Sequence, residues 1–297
     1  MASASELTTR GGRVCPVCYE TAEPRIELGD FDLHRCRTCG CWSSDALARG
    51  AENSFVPESY FENADVDRGK WEDLRERLPA RGESLDSILD VGCGNGTYLE
   101  YARQAFPAAR REGIELDAGR AAEARQRDPS ARIQTADALA GLAEASGPFD
   151  LVTLWDVFEH VPDPAALLRG LARTLAPGGA IFVQTIHEHS LVPTLGRWAY
   201  RVSGGRLRFP ARRTHEPHHL VFFTRRGLRR LAQDAGLSIR ELWFDRLDRD
   251  RMDGGSWLTA ATSAALRMEN TLGGGLFVNL ILEAESGSAS FSPPAAR

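Results

Sequence analysis

No segment of this 297-residue chain approaches the roughly 20 consecutive apolar residues that span a bilayer. Its most apolar run, Leu276 to Leu282, has the length of a strand and is interrupted by Asn279. A hydrophobic leader is missing too, because Met1 to Gly12 holds no apolar core and reads as a frayed tail. A cytoplasmic protein is therefore expected. Net positive charge is absent, the formal value being −5, which speaks against wholesale nucleic-acid binding and leaves room only for a local basic patch. No internal repeat is evident. With 42% apolar and 26% charged residues, fibrous and wholly disordered chains are excluded. The length suits one sizeable domain with something small attached, or two modest ones.

Cysteines are few, six in all, but four of them form Cys15-x2-Cys18 and Cys36-x2-Cys39. Each pair presents two thiolates from one tight turn, and two such knuckles close a tetrahedron around zinc. Pro16 and Gly40 suit the turns. Disulfides are the alternative; a reducing cytoplasm disfavours them, and so short a segment has too few apolar residues to fold without a staple. A four-thiolate site has no open position, so the expected zinc is structural and not catalytic. Cys41 and Cys93 are spare, and His34 is a candidate to hydrogen-bond a ligating thiolate and not to ligate the metal itself.

The order of elements follows from hydrophobic period. Short strands are expected around Arg25–Leu28 and Phe31–Arg35, between the knuckles, giving a ribbon. Phe55, Tyr60 and Phe61 are aromatic anchors in a connector, and Val66–Leu78 reads as an amphipathic helix with Trp71, Leu74 and Leu78 on one face. From Ser84 onward strands alternate with helices: strands at 87–91, 112–116, 131–135, 149–155 and 179–186, with helices at 97–106, 118–127, 138–145 and 164–175 between them. A helix at 225–235 follows, stopped by Gly236, then a strand near 239–244, a helical stretch at 257–269 and a last strand at 276–282. Such alternation means a mostly parallel sheet covered on both faces, here of seven strands.

The first strand of that sheet runs into Asp90-Val91-Gly92-Cys93-Gly94-Asn95-Gly96-Thr97. Ligands of open α/β sheets bind at the carboxyl ends of the strands, where glycines let a ligand approach the backbone. The third glycine comes one residue too early for a dinucleotide fingerprint. Glu115 closes the second strand, where a carboxylate can accept both ribose hydroxyls, and Asp137 closes the third, where it can accept from an adenine amino group. A nucleoside with a non-phosphate substituent fits these three positions.

These motifs (LDVGCGNG, GIELD, ADA, FDLVTLWDVFEHVPDP and LAPGGAIFVQT) resemble the class I S-adenosylmethionine-dependent methyltransferases, in particular the small-molecule branch with the ubiquinone-pathway O-methyltransferases. The resemblance implies a Rossmann-like seven-stranded sheet whose last strand is antiparallel. It also implies that Asp90 anchors the loop, that Gly92 and Gly94 lie along the methionine part of S-adenosylmethionine, and that Glu115 with Leu116 holds the ribose. Asp137 with Ala138 would hold the adenine, and Leu154 and Trp155 would flank the sulfonium. CPVC, RCRTCGCW and ESYFE look like methyltransferases with an N-terminal zinc ribbon, many of them similar to enzymes of polysaccharide or secondary-metabolite pathways. The expected organisation is a tail (1–13), the ribbon (14–45), a connector and covering helix (46–83), the methyltransferase domain (84–285, with an insertion at 187–218) and a second tail (286–297).

Two histidines are candidate bases for a hydroxyl acceptor, since imidazole titrates near neutral pH. His219 lies in an element resembling the family's His-Leu-x-Phe-Phe-Thr, and His160 follows the fourth strand. His215, His218 and His219 with Glu216 could also bind a metal, although their adjacency hinders convergence. The insertion carries Arg197, Arg201, Arg206, Arg208, Arg212 and Arg213 among Trp198, Tyr200 and Phe209. Such a segment suits an anionic group on the acceptor, an RNA strand or an anionic membrane surface. The expected reaction is methyl transfer to a hydroxyl of a small-molecule or glycan acceptor. An RNA-modifying enzyme and a non-catalytic cofactor-binding partner are the alternatives. The oligomeric state is not legible.

Overall fold

The computed structural model describes residues 8–9, 12–50, 64–78, 84–245, 268–269, 271 and 274–285. Phe55, Tyr60, Phe61 and most of the expected helix at 257–269 lie outside them.

The seven-stranded sheet is built from β6 (Ser87–Val91), β7 (Arg110–Glu115), β8 (Arg132–Thr135), β9 (Phe149–Trp155), β10 (Leu175–Ile186), β12 (Leu237–Phe244) and β13 (Phe277–Ala284) in the order β12-β13-β10-β9-β6-β7-β8. β13 runs antiparallel to the other six strands, which are parallel to one another. Five helices follow the strands or enter them: α2 (Thr97–Ala105), α3 (Ala118–Arg127), α4 (Ala138–Ala143), α5 (Pro164–Ala172) and α8 (Arg225–Asp234). The central strands β6 and β9 are almost wholly buried, as continuous apolar runs in a doubly covered parallel sheet must be. Alternation sends their side chains to two cores. Leu89, Val91, Val152 and Leu154 pack with α4, α5 and α8. Ile88, Leu151, Trp155 and Phe182 pack with α2 and with Trp71 and Leu74 of α1 (Ala64–Arg77).

The second sheet corrects the sequence reading. Besides β1 (Thr8–Thr9), β2 (Gly12–Val14), β3 (Thr21–Glu27), β4 (Asp32–Cys36) and β5 (Trp42–Ser44), it contains β11 (Val221–Phe222), which belongs to the C-terminal half of the chain. Val221 pairs with Ser43 and Phe222 with Trp42. Ile26, Leu28, Phe31 and Leu33 share one apolar cluster with Ile186, Ala211 and Phe222. The Thr224 hydroxyl, which caps α8, donates to the Cys39 carbonyl at 2.8 Å. Tyr19 donates to Asp163 at the start of α5. Cys41 lies outside the four-cysteine cluster, as expected, and packs at the junction instead: it lies against the Thr224 hydroxyl at 3.6 Å, and a Cβ on Gly227 would fall 2.0 Å from its sulfur. A ribbon that folds apart from the domain is therefore the wrong picture, because its sheet and its core are completed by residues about 180 positions away.

The insertion at 187–218 is largely helical. It forms α6 (Leu191–Val202) and α7 (Phe209–Thr214), which pack on each other.

Candidate functional site

The carboxyl ends of β6, β7, β8, β9 and β10 bring the sequence-derived candidates to one edge of the sheet. Gly92 has φ +72°, and a Cβ there would stand 2.4 Å from Val157 Cγ2. Only glycine allows this contact. It ties the glycine loop to the turn that carries Glu159 and His160. Gly96 has φ +83° and abuts the Ala124 backbone, so α2 and α3 sit close together behind the loop.

Glu115 is positioned by backbone donors on both sides. Its Oε2 accepts from the Gly94 N–H at 2.8 Å and its Oε1 from the Asp117 N–H at 2.8 Å. Each oxygen keeps further lone pairs for a diol. Asp137 caps α4 through Oδ1, which accepts from Leu139 and Ala140, and Ala138 is the first helical residue. Leu116 is half exposed beside Glu115. Trp155 is buried and stacks on Tyr98 at 4.0 Å with nearly parallel rings. Leu154 differs from the expectation in one respect: its side chain points into the core on the opposite face of β9, so only its backbone can border this edge.

Asp90 is buried, with Oδ1 accepting from the Thr153 hydroxyl at 2.7 Å and Oδ2 without a hydrogen-bond partner among the described residues. Burial, reinforced by the Glu115 charge, pushes its pKa up to about 7. The folded protein thus retains a proton that the unfolded chain releases, so stability falls as pH rises from about 4 to about 7 and is flat above. Thermal unfolding of the cofactor-free protein across that window should show this decline, at most about 1.4 kcal/mol per pH unit from this group. Asp90→Asn should remove it, and an unchanged slope in the variant would exclude Asp90 as its source.

The histidines separate in space. His215 turns inward to Glu188, with Nε2 to Oε2 at 3.2 Å, and His218 pairs with Glu216 at 3.0 Å. His160 and His219 face each other with ring centroids 4.8 Å apart. His160 Nδ1 lies 2.9 Å from the His218 carbonyl, which requires the proton on Nδ1 and leaves Nε2 as an acceptor. Burial lowers the pKa of both rings, and neighbouring imidazoles lower it further, so both are neutral at neutral pH. The set of His215, His218, His219 and Glu216, whose adjacency hinders convergence, does not come together among the described residues. The donor atoms of Glu159, His160 and His219 do lie within 4.8 Å of one another.

Sequence reasoning missed a buried polar chain on the same edge. Lys70, the chain's one lysine, reaches from α1 to Gln184 Oε1 at 2.6 Å and to Asp156 at 3.7 Å. Gln184 donates to Asp245 and Asn279, and Asn279 donates to Asp245 at 2.6 Å. The signals were present: a lone lysine on an amphipathic helix, and polar residues inside two apolar strands. Thr185 donates to the fully buried Glu159 at 2.7 Å on the other face of β10.

In the ribbon, Cys15 and Cys39 have their sulfurs 3.5 Å apart, as do Cys18 and Cys36, and all four lie within 4.8 Å of one another. Tetrahedral zinc with Zn–S near 2.3 Å sets sulfurs about 3.8 Å apart, so the four residues fit that ion. His34 pairs with Asp45 and is not part of the cluster.

A family model described as a methyltransferase domain matches residues 62–242, more than half of the chain. The ubiquinone biosynthesis O-methyltransferase of Thiobacillus denitrificans is 32% identical over 181 residues, covering 59% of this chain and 72% of that protein. That of Caulobacter vibrioides is 42% identical over 117 residues, covering 38% of this chain and 44% of that protein. The chain spans less than half the length of the first curated relatives it matches. Among solved structures, geranyl diphosphate C-methyltransferase from Streptomyces coelicolor A3(2), bound to Mg2+, geranyl diphosphate and S-adenosyl-L-homocysteine, superposes with TM-score 0.53 at 18% identity, covering 78% of this chain and 85% of that one. A SAM-dependent methyltransferase from Archaeoglobus fulgidus gives 0.52 at 13% identity, covering 76% and 99%. Those two likenesses show the fold.

Proposed function

We propose that this chain, which belongs to the methyltransferase-domain family with the class I S-adenosylmethionine-dependent fold, transfers a methyl group to a hydroxyl of a small-molecule acceptor. The observation that carries the reading is the Glu115 carboxylate, held by the Gly94 and Asp117 N–H groups beside a glycine loop whose acid, Asp90, has a buried oxygen with no hydrogen-bond partner among the described residues. S-adenosylmethionine, when bound, supplies a methyl group on a sulfonium whose departure leaves a neutral thioether. Glu115 with Leu116 would hold the ribose, Asp137 with Ala138 the adenine, and Asp90, Gly92 and Gly94 the amino-acid end. Trp155 and the Leu154 backbone would border the sulfonium. Fixing the acceptor at near-attack distance supplies a large part of the rate in such a displacement.

The acceptor oxygen must lose its proton, and the neutral His219 and His160 rings supply lone pairs for it. The curated relatives named above favour a small-molecule hydroxyl over the glycan acceptor raised from the sequence. Of the six arginines expected to meet an anionic group on the acceptor, Arg197 is engaged with Glu188 and Arg212 with Asp30, which leaves Arg201, Arg206, Arg208 and Arg213 exposed for that role. We assign the Cys15, Cys18, Cys36 and Cys39 cluster to a structural zinc.

Calorimetry with S-adenosylhomocysteine tests the cofactor site, and labelled methyl transfer to a panel of hydroxyl-bearing small molecules tests the activity. His219→Ala and His160→Ala should lower kcat by about 100-fold or more if either ring is the base, with cofactor affinity unchanged. No binding by the wild-type protein refutes the cofactor site. Full kcat in both variants removes the histidines from the chemistry.

A further inference from the structure

We propose that His187, His189 and Arg225, with Arg35 at the rim, bind an anionic oxygen group of the acceptor, a carboxylate or a phosphate. The centre of this site is a residue that the methyl transfer does not use. His187 is only 6% exposed, yet neither ring nitrogen has a hydrogen-bond partner among the described residues. The Gly275 backbone lies close enough to favour the protonated ring but makes no hydrogen bond with it. A buried imidazole in that condition is costly, which points to a ligand that completes it.

The backbone around the ring is fixed. The His187 N–H donates to the Leu276 carbonyl at 2.7 Å, His187 bridges to Phe223, and the Glu188 N–H donates to the Phe223 carbonyl at 2.8 Å. Thr224 then caps α8, so Arg225 opens that ten-residue helix two positions beyond the bridge, where the helix dipole favours an anion.

The surroundings are cationic. The His187 and Phe244 rings are 5.0 Å apart, the Arg225 guanidinium packs 4.5 Å from the same Phe244 ring, and the His189 ring is 6.0 Å from that of His187. His189 and Arg225 are exposed. Arg35, also exposed, packs on Trp42 and lies near enough to disfavour protonation of His189. Neither Arg225 nor Arg35 has an ion-pair partner among the described residues. The neighbouring acid, Glu188, is taken by Arg197 and His215. Burial, with the charges of His189 and Arg225, pushes the His187 pKa down to about 4, so its neutral ring offers one N–H to an oxygen. Arg225 adds charge-assisted bonds that a neutral ligand would leave unanswered. A cation is disfavoured by the same charges, and neither His187 nor His189 belongs to a metal-ligating cluster among the described residues.

Position assigns the anion to the acceptor. His187 follows the last residue of β10, two strands from the glycine loop on β6 and therefore about 10 Å from it across the sheet. By alternation it shares the face of β10 with Thr185, which holds Glu159 beside His160. This assignment rests on the methyl-transfer reading; the anion site itself does not.

The test starts with the full chain alone. Inorganic phosphate and, separately, acetate are titrated while the histidine ring NMR signals are followed, assigned through His187→Gln and His189→Gln. Saturable shifts of both rings are expected with at least one of these anions and not with chloride at equal ionic strength. Phosphate alone marks a phosphorylated acceptor and acetate alone a carboxylate. Arg225→Ala/His189→Gln should bind that anion about 10-fold or more weaker, with wild-type circular dichroism and S-adenosylhomocysteine affinity. Among hydroxyl acceptors matched with and without the anionic group, the wild type should favour the anionic member in kcat/KM, and the double variant should lose about 10-fold of that preference. The site is overturned if no saturable shift occurs, if chloride acts equally, or if the variant binds as the wild type does. Equal kcat/KM for matched acceptors in the wild type, with anion binding intact, overturns the assignment to the acceptor. A failure of S-adenosylhomocysteine to bind counts against the methyl-transfer reading alone, so the two failures are distinguishable.

Discussion

Glu115→Ala is expected to weaken S-adenosylhomocysteine binding by about 100-fold or more in calorimetry, because it deletes a pair of charge-assisted ribose hydrogen bonds of roughly 1.5–3 kcal/mol each. The loss extends to the loop. Without the carboxylate, the Gly94 and Asp117 N–H groups lose their acceptor, and the turn that carries the glycines is no longer pinned to the end of β7. Glu115→Gln keeps one acceptor oxygen and should fall between the wild type and the alanine variant. Circular dichroism and the unfolding midpoint of each variant report whether the fold persists. A folded Glu115→Ala protein that binds with wild-type affinity would place the nucleoside elsewhere.

Removing the proposed structural zinc, by chelation or by Cys36→Ser, should destabilise the whole molecule in a single transition. Bound zinc contributes directly to folding free energy, so the loss should be several kcal/mol, or roughly 10 °C or more in Tm for a chain of this size. The ribbon cannot unfold alone without exposing Ile186, Ala211 and Phe222, breaking the β5–β11 pairing and leaving the Thr224 hydroxyl without the Cys39 carbonyl. Differential scanning calorimetry with and without chelator measures this. Two separated transitions, the upper one unmoved by chelator, would show that the ribbon is thermodynamically independent. At temperatures below the transition, S-adenosylhomocysteine affinity should be retained, since none of the four cysteines borders the glycine loop.

The strands of the main sheet were legible because their chemistry is local. The apolar runs that became β6 and β9 match their expected bounds residue for residue, and α3 does so as well. The ends of β7, β10 and β13 moved by one to four residues, because strand ends are set by pairing partners and not by apolarity. Glycine spacing and the acids at strand ends marked the cofactor edge for the same reason: each is a short-range signature of a strand-to-helix turn. Lys70, Gln184, Asn279 and Asp245 were invisible as a group, since residues up to about 210 positions apart become a hydrogen-bonded chain only after the sheet is assembled.

What the sequence determined by itself was whatever depends on neighbours along the chain: the αβ alternation, the glycine loop with Glu115 and Asp137, and the two cysteine knuckles. The tertiary structure decided the rest. It sent Leu154 into the core, paired His160 with His219 while turning His215 toward Glu188, and joined the ribbon to β11. It also divided the arginine-rich insertion into an inner face tied to the protein and an outer face left to solvent. Each of these depends on which faces meet, and a one-dimensional pattern gives the period of a face without naming its partner.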